Sequence, residues 1–155
     1  MYLTQDYKDI ISLFNKHNVR YLIAGAYAMA KLGYARSTYD IDLWIDKTEE
    51  NGVNIVLALE EFGIPFSLEP DDFLAAESVF QIGVEPNRID ILTDIDGVRF
   101  EDAWENREVA EFGTLQAYSM GINDLIKNKS ASGRPKDKLD LVQLKALAKQ
   151  RKKQK

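Results

Sequence analysis

The sequence predicts a mixed α/β domain, one sheet flanked by helices with two further helices at the C-terminus. Three observations carry this. Short apolar runs, Val19–Ala24 and Tyr39–Asp46 among them, have strand length and are bounded by glycine or polar turns. Between them lie segments whose apolar residues recur at helical spacing. And 155 residues suffice for one domain with a real core, not for two ordinary ones. We take residues 1–150 as that single domain and residues 151–155 as a basic tail.

Taken in order, Tyr7, Ile10, Ile11 and Phe14 predict an amphipathic helix over residues 4–17. Val19–Ala24 reads as a strand that closes in a turn at Gly25, and Ala26–Leu32 as a short helix ended by Gly33. After the loop Tyr34–Thr38 comes a strand with the sequence Tyr-Asp-Ile-Asp-Leu-Trp-Ile-Asp. Alternation puts Asp40 and Asp42 on one of its faces and Ile41, Leu43 and Ile45 on the other. Thr48-Glu-Glu-Asn supplies an N-cap and acids for a helix reaching about Phe62. Ile64–Leu68 predicts a strand and Glu69–Phe73 a turn or short helix. Ser78–Val84 and Arg88–Thr93, joined by Glu85-Pro-Asn, predict a hairpin. Residues 100–120 suggest a short helix followed by two weak strands. Ile122–Ala131 and Asp137 to about Gln150 predict two helices joined by Ser132–Lys136.

Composition narrows the chemistry. The chain has no cysteine and one histidine, His17. Disulfides, thiolate zinc sites and cysteine nucleophiles are thereby excluded. A Ser-His-Asp triad would have to draw its base from the end of the first helix, where a cation simply suits the helix dipole. No apolar run approaches the roughly 20 residues needed to cross a bilayer, and no signal peptide is evident, so the expectation is a cytoplasmic protein. The net charge of −5 is uneven: Lys145–Lys155 hold six basic groups and no acid, and the rest of the chain carries a net −11. Such a body repels a nucleic-acid backbone over most of its surface. The basic end is either an electrostatic handle or a solvated helix end.

Carboxylates are therefore the chemistry to follow. Two acids on one strand face repel, and a divalent cation between them is one resolution; a solvated polar face is the other. Asp90, in Arg88-Ile-Asp-Ile-Leu92, is polar amid apolar neighbours. Beside the Asp-x-Asp strand it becomes a third carboxylate, as metal ligand or as the base for an attacking hydroxyl. Alternatively, it forms an ion pair with Arg88 on one strand face. Ahead of these lies Ala24-Gly25-Ala26, a strand-to-helix turn where a glycine allows a ligand phosphate to approach backbone N–H groups. Near the C-terminus, Lys129, Arg134 and Lys136 bring cations suited to phosphate. Asp137 and Asp140 share a helix face, where Asp137 can cap the last helix and Lys136 can pair with Asp140. Arg36 either touches a phosphate or neutralises the acids. Tyr39 and Trp44 either stack on a base or pack.

Together these motifs, Ala24-Gly25-Ala26, Asp40-Ile-Asp-Leu43 and Ile89-Asp-Ile91, resemble the DNA polymerase β-like nucleotidyltransferase superfamily. The context from Gly25 to Thr38, and the segment Lys129, Arg134-Pro-Lys-Asp137, Asp140-Leu141, are similar to minimal nucleotidyltransferase-like proteins that include the AbiEii-type toxins. The resemblance spans about residues 10–145. It implies a nucleotidyltransferase fold, Mg²⁺ or Mn²⁺ held by Asp40, Asp42 and Asp90, and an NTP bound by Gly25, Ala26, Arg36, Lys129, Arg134, Lys136, Asp137 and Asp140. It implies transfer of NMP to an acceptor (RNA, protein or small molecule). A catalytically weakened module, nucleotide-binding or paired with a toxin–antitoxin partner, is the alternative. Most active members carry Gly-Ser or Gly-Gly at the turn; here Ala26 lacks the hydroxyl. An aspartate-nucleophile phosphatase also uses Asp-x-Asp, but at a strand's end, whereas this pair opens its strand.

Overall fold

The computed structural model describes residues 3–34 and 38–154. Its centre is a six-stranded mixed sheet in the order β3-β4-β2-β1-β6-β5. Strand β1 (Tyr21–Ala24) pairs antiparallel with β2 (Asp40–Ile45) and parallel with β6 (Leu115–Ser119). On the other side β2 runs parallel to β4 (Arg88–Leu92), which forms an antiparallel hairpin with β3 (Val79–Ile82). Strand β5 (Glu108–Phe112) closes the far edge against β6.

Helices form where the caps and apolar spacing require them. Helix α1 (Gln5–Lys16) opens at Thr4, whose hydroxyl accepts from the Tyr7 N–H, and buries Tyr7, Ile10, Ile11 and Phe14. His17 ends it and meets Glu61 at 3.1 Å. Helix α2 (Gly25–Lys31) follows β1 without a loop. Helix α3 (Glu49–Phe62) is capped by the Thr48 hydroxyl and stops at Gly63, whose left-handed φ of 105° suits glycine. It packs on α1 and on the short 3-10 turn Pro70–Phe73. Helix α4 (Phe100–Glu105) precedes β5, and α5 (Ile122–Ser132) packs against α6 (Pro135–Lys153). Among the described residues no helix is long and apolar enough to cross a membrane.

Two expectations are corrected. Ile64–Leu68 is not a strand: Pro65 has no N–H to give a ladder, and the exposed Phe66 ring instead meets Phe80 at 6.1 Å. The last helix starts at Pro135 and continues to Lys153, with Arg151 anchored on Glu108 of β5 at 2.7 Å. The core gathers on both faces of the sheet's centre, with Tyr21, Leu22, Ile23, Ile41, Leu43 and Trp44 all almost fully buried.

Candidate active site

The site grows out of the register between β2 and β4. In parallel pairing Asp40 stands beside Arg88 and Asp42 beside Asp90. Because side chains alternate, Asp40, Asp42, Arg88 and Asp90 all project from one face of the sheet. One carboxylate oxygen from each of Asp40, Asp42 and Asp90 lies within 4.8 Å of the others. Beside them β1 runs into α2 through Gly25, at φ 65°. A Cβ on Gly25 would stand 2.5 Å from the Asp42 Oδ2, so glycine is needed for both its backbone angle and its lack of a side chain.

Arg88 threads this cluster. Its Nη2 donates to the Asp40 Oδ2 at 2.8 Å and the Asp90 Oδ2 at 3.1 Å, and its Nε to the Asp90 Oδ1 at 2.9 Å. The pairing of Arg88 with Asp90 left open by the sequence is therefore present, and it extends to Asp40. Thr38 donates its hydroxyl to the Asp40 Oδ1 at 3.0 Å. Asp42 accepts no hydrogen bond among the described residues. Burial and the charges of Asp40 and Asp90 push its carboxyl up to about 7. Burial also pushes Asp90 up, against the hydrogen bonds from Arg88.

Three carboxylates offer hard oxygen donors in the number and spacing that suit Mg²⁺ or Mn²⁺. Burial first, and then the neighbouring charges of Asp40 and Asp90, disfavour the ionised form of Asp42, and a cation at this point would offset both. The residues fit a divalent metal.

A second charged cluster forms the wall opposite. Lys129, almost fully buried on α5, donates to the Asp137 Oδ1 at 3.0 Å and lies 3.3 Å from the Asp140 Oδ2. The Ser132 hydroxyl donates to Asp137, and the Arg134 Nε reaches the same carboxylate at 2.8 Å. Burial would raise the Asp137 carboxyl; the hydrogen bonds from Arg134, Ser132 and Lys129 hold it well below the usual carboxylate range. Asp137 is the third residue of α6 rather than its N-cap, a position taken by Arg134. Asp140 pairs with Lys129, not with Lys136 as the helix spacing suggested.

Gly25, Ala26, Asp40, Asp42, Asp90, Lys129, Arg134 and Lys136 line one cleft of about 420 Å³, together with Thr38, Met29, Arg88 and Leu92. Asp137 and Asp140 stand behind Lys129, fully buried. Arg36 lies outside the described residues. Trp44 is packed edge-on against Phe100 at 5.1 Å, and Tyr39 is exposed. The sequence reading missed two tyrosines under the cluster: the Tyr7 hydroxyl donates to the Arg88 carbonyl at 3.0 Å, and its ring meets Tyr27 at 5.6 Å. Tyr7 looked like any core position of an amphipathic helix, so only the fold could single it out.

This architecture is that of nucleotidyltransferases. The crystal structure of a protein from Thermotoga maritima, described as a "putative nucleotidyltransferase", shares it with a TM-score of 0.56, over 94% of this chain and 88% of that one, at 16% sequence identity. The model of the aminoglycoside-2''-adenylyltransferase family matches residues 6–119, and the chain belongs to that family. No curated protein matches it. Family and fold together support transfer of a nucleoside monophosphate in general. Neither comparison speaks to the AbiEii-type group.

Proposed function

We propose that the protein is a metal-dependent nucleotidyltransferase that moves NMP from an NTP to an acceptor hydroxyl, with Mg²⁺ or Mn²⁺ as cofactor. The observation that carries this is the convergence of Asp40, Asp42 and Asp90 on one sheet face, within 4.8 Å, beside the Gly25 turn. Asp40 and Asp42 hold the ion, and Asp90 completes the carboxylate set. When bound, the ion neutralises charge that develops on the attacking and leaving oxygens at phosphorus. The Gly25–Ala26 turn offers backbone close to the carboxylates. Arg134 and Lys136 supply positive charge across the cleft for the triphosphate. Lys129 orders that wall by holding Asp137 and Asp140. The family's name makes ATP the first donor and an aminoglycoside the first acceptor to try; RNA and protein acceptors belong in the same panel.

A second reading is a nucleotide-binding module with weakened catalysis, free or bound to a toxin–antitoxin partner. Ala26 favours it, because the turn lacks a hydroxyl for phosphate. The test is incubation with each labelled NTP, Mg²⁺ and pools of aminoglycosides, tRNA and protein. Label transfer that disappears in Asp42→Ala supports the enzyme. Absence of both transfer and metal-dependent NTP binding rejects it, and binding without transfer supports the module.

A further inference from the structure

We propose that Arg88 stands in for one of the two cations that a three-carboxylate nucleotidyl-transfer site ordinarily holds, so that this site takes a single divalent ion, between Asp40 and Asp42. The inference rests on the metal-dependent reading above and specifies its stoichiometry.

Arg88 is built into the cluster rather than laid over it. Its backbone belongs to β4, its N–H donates to the Tyr39 carbonyl at 3.3 Å, and its own carbonyl accepts from the Tyr7 hydroxyl. Its side chain is only about a quarter exposed. The guanidinium fork takes both oxygens of Asp90 and one of Asp40, the bidentate geometry that arginine forms and lysine cannot. That charge is permanent at any pH the protein survives.

The distribution of partners divides the three acids. Asp90 has both oxygens committed to Arg88. Asp40 gives only Oδ2 to Arg88, and its Oδ1 accepts from the neutral Thr38 hydroxyl. Asp42 has neither oxygen engaged among the described residues. The ligand face that the guanidinium does not hold is thus Asp42 with the Oδ1 of Asp40. Charge agrees: three carboxylates are balanced by one divalent ion and one guanidinium, whereas two divalent ions beside Arg88 leave a surplus of two positive charges before the nucleotide arrives. A second ion bridging Asp40 and Asp90 would need the space Arg88 fills. With both oxygens on the guanidinium, Asp90 serves as the counter-charge of Arg88.

The test counts Mn²⁺ by electron paramagnetic resonance in the complex of the full chain with α,β-methylene-ATP. The expectation is one Mn²⁺ per complex in the wild type, with no signal from a coupled pair. Arg88→Ala should bind two, with the coupling expected of ions about 4 Å apart. Arg88→Lys, which keeps a cation, should return to one. Two ions in the wild type, or one in a folded Arg88→Ala protein, would overturn the proposal and leave the metal-dependent reading standing. No ion in the wild type would reject both. If Arg88→Ala does not fold, the wild-type and Arg88→Lys counts decide: one in each supports the proposal, and two in either overturns it.

Discussion

Two clusters of acids, one lining the cleft and one buried behind its Lys129 wall, resolve their repulsion differently. Around Asp137 and Asp140 the fold brings Lys129, Arg134 and Ser132, and Asp137 stays ionised far below the usual range. Around Asp40, Asp42 and Asp90 it brings one bonded arginine, and burial together with the charges of Asp40 and Asp90 pushes Asp42 up to about 7. The first cluster is complete within the chain and acts as a joint between α5 and α6. The second keeps more carboxylates than the one guanidinium bonded to it can balance. Neutral balance marks structure, and a deficit of cation marks a site.

That contrast can be broken most sharply at Asp42. Asp42→Asn should lower any transfer activity on the order of 10³-fold, because electrostatic stabilisation by a bound ion is worth several kcal/mol. It should also raise the melting temperature of the metal-free protein, because a repelling charge is gone. A lower melting temperature in EDTA would count against the deficit. Lys129→Met should behave oppositely, costing about 3–5 kcal/mol by denaturant titration, since Asp137 and Asp140 lose their buried partner. Gly25→Ala puts a Cβ against Asp42 and a side chain at positive φ. We expect a loss of about 1–3 kcal/mol and weakened Mn²⁺ binding, read by calorimetry.

The pH dependence separates the clusters by sign. Asp42 has its folded value raised, so between about pH 4 and 7 the folded state binds more protons than the unfolded state. Its contribution to stability therefore falls as pH rises through that window. Mg²⁺ should suppress the fall, as melting curves from pH 5 to 8 with and without the ion would show. Asp137 has its folded value lowered, so its contribution is present above the usual carboxylate range and is lost only as pH falls below it. The smallest effect belongs to Ala26→Ser, which should raise NTP affinity or turnover by about two- to tenfold if its hydroxyl gains one phosphate hydrogen bond. No change would show that the turn does not touch phosphate.

Much of this was legible in the chain. Alternation in Asp40–Ile45, the glycine turn at Gly25 and the hairpin around Pro86 each have local causes. Thr48 likewise announces the start of α3. What was not legible depends on pairing between distant segments. Nothing local states that β4 joins β2 in parallel with Asp90 beside Asp42, or that Arg88 reaches Asp40 as well as Asp90. The apolar look of Ile64–Leu68 misled because a strand needs a neighbour to pair with, and Pro65 cannot bond on its N–H side. Helix spacing offered Lys136 to Asp140, but tertiary packing brought the better-buried Lys129.

One feature of β2 has an optical consequence. Trp44 lies two residues along the strand from Asp42, almost wholly buried, its indole N–H without an acceptor among the described residues. The chain's other tryptophan, Trp104, carries the guanidinium groups of Arg20 and Arg107 over its ring, at 4.9 and 4.0 Å. The two indoles thus sit in a dry and a cationic setting and should emit at different wavelengths. The molecule carries its own fluorescent probe on the strand that bears the acids, and Trp104→Phe would isolate it.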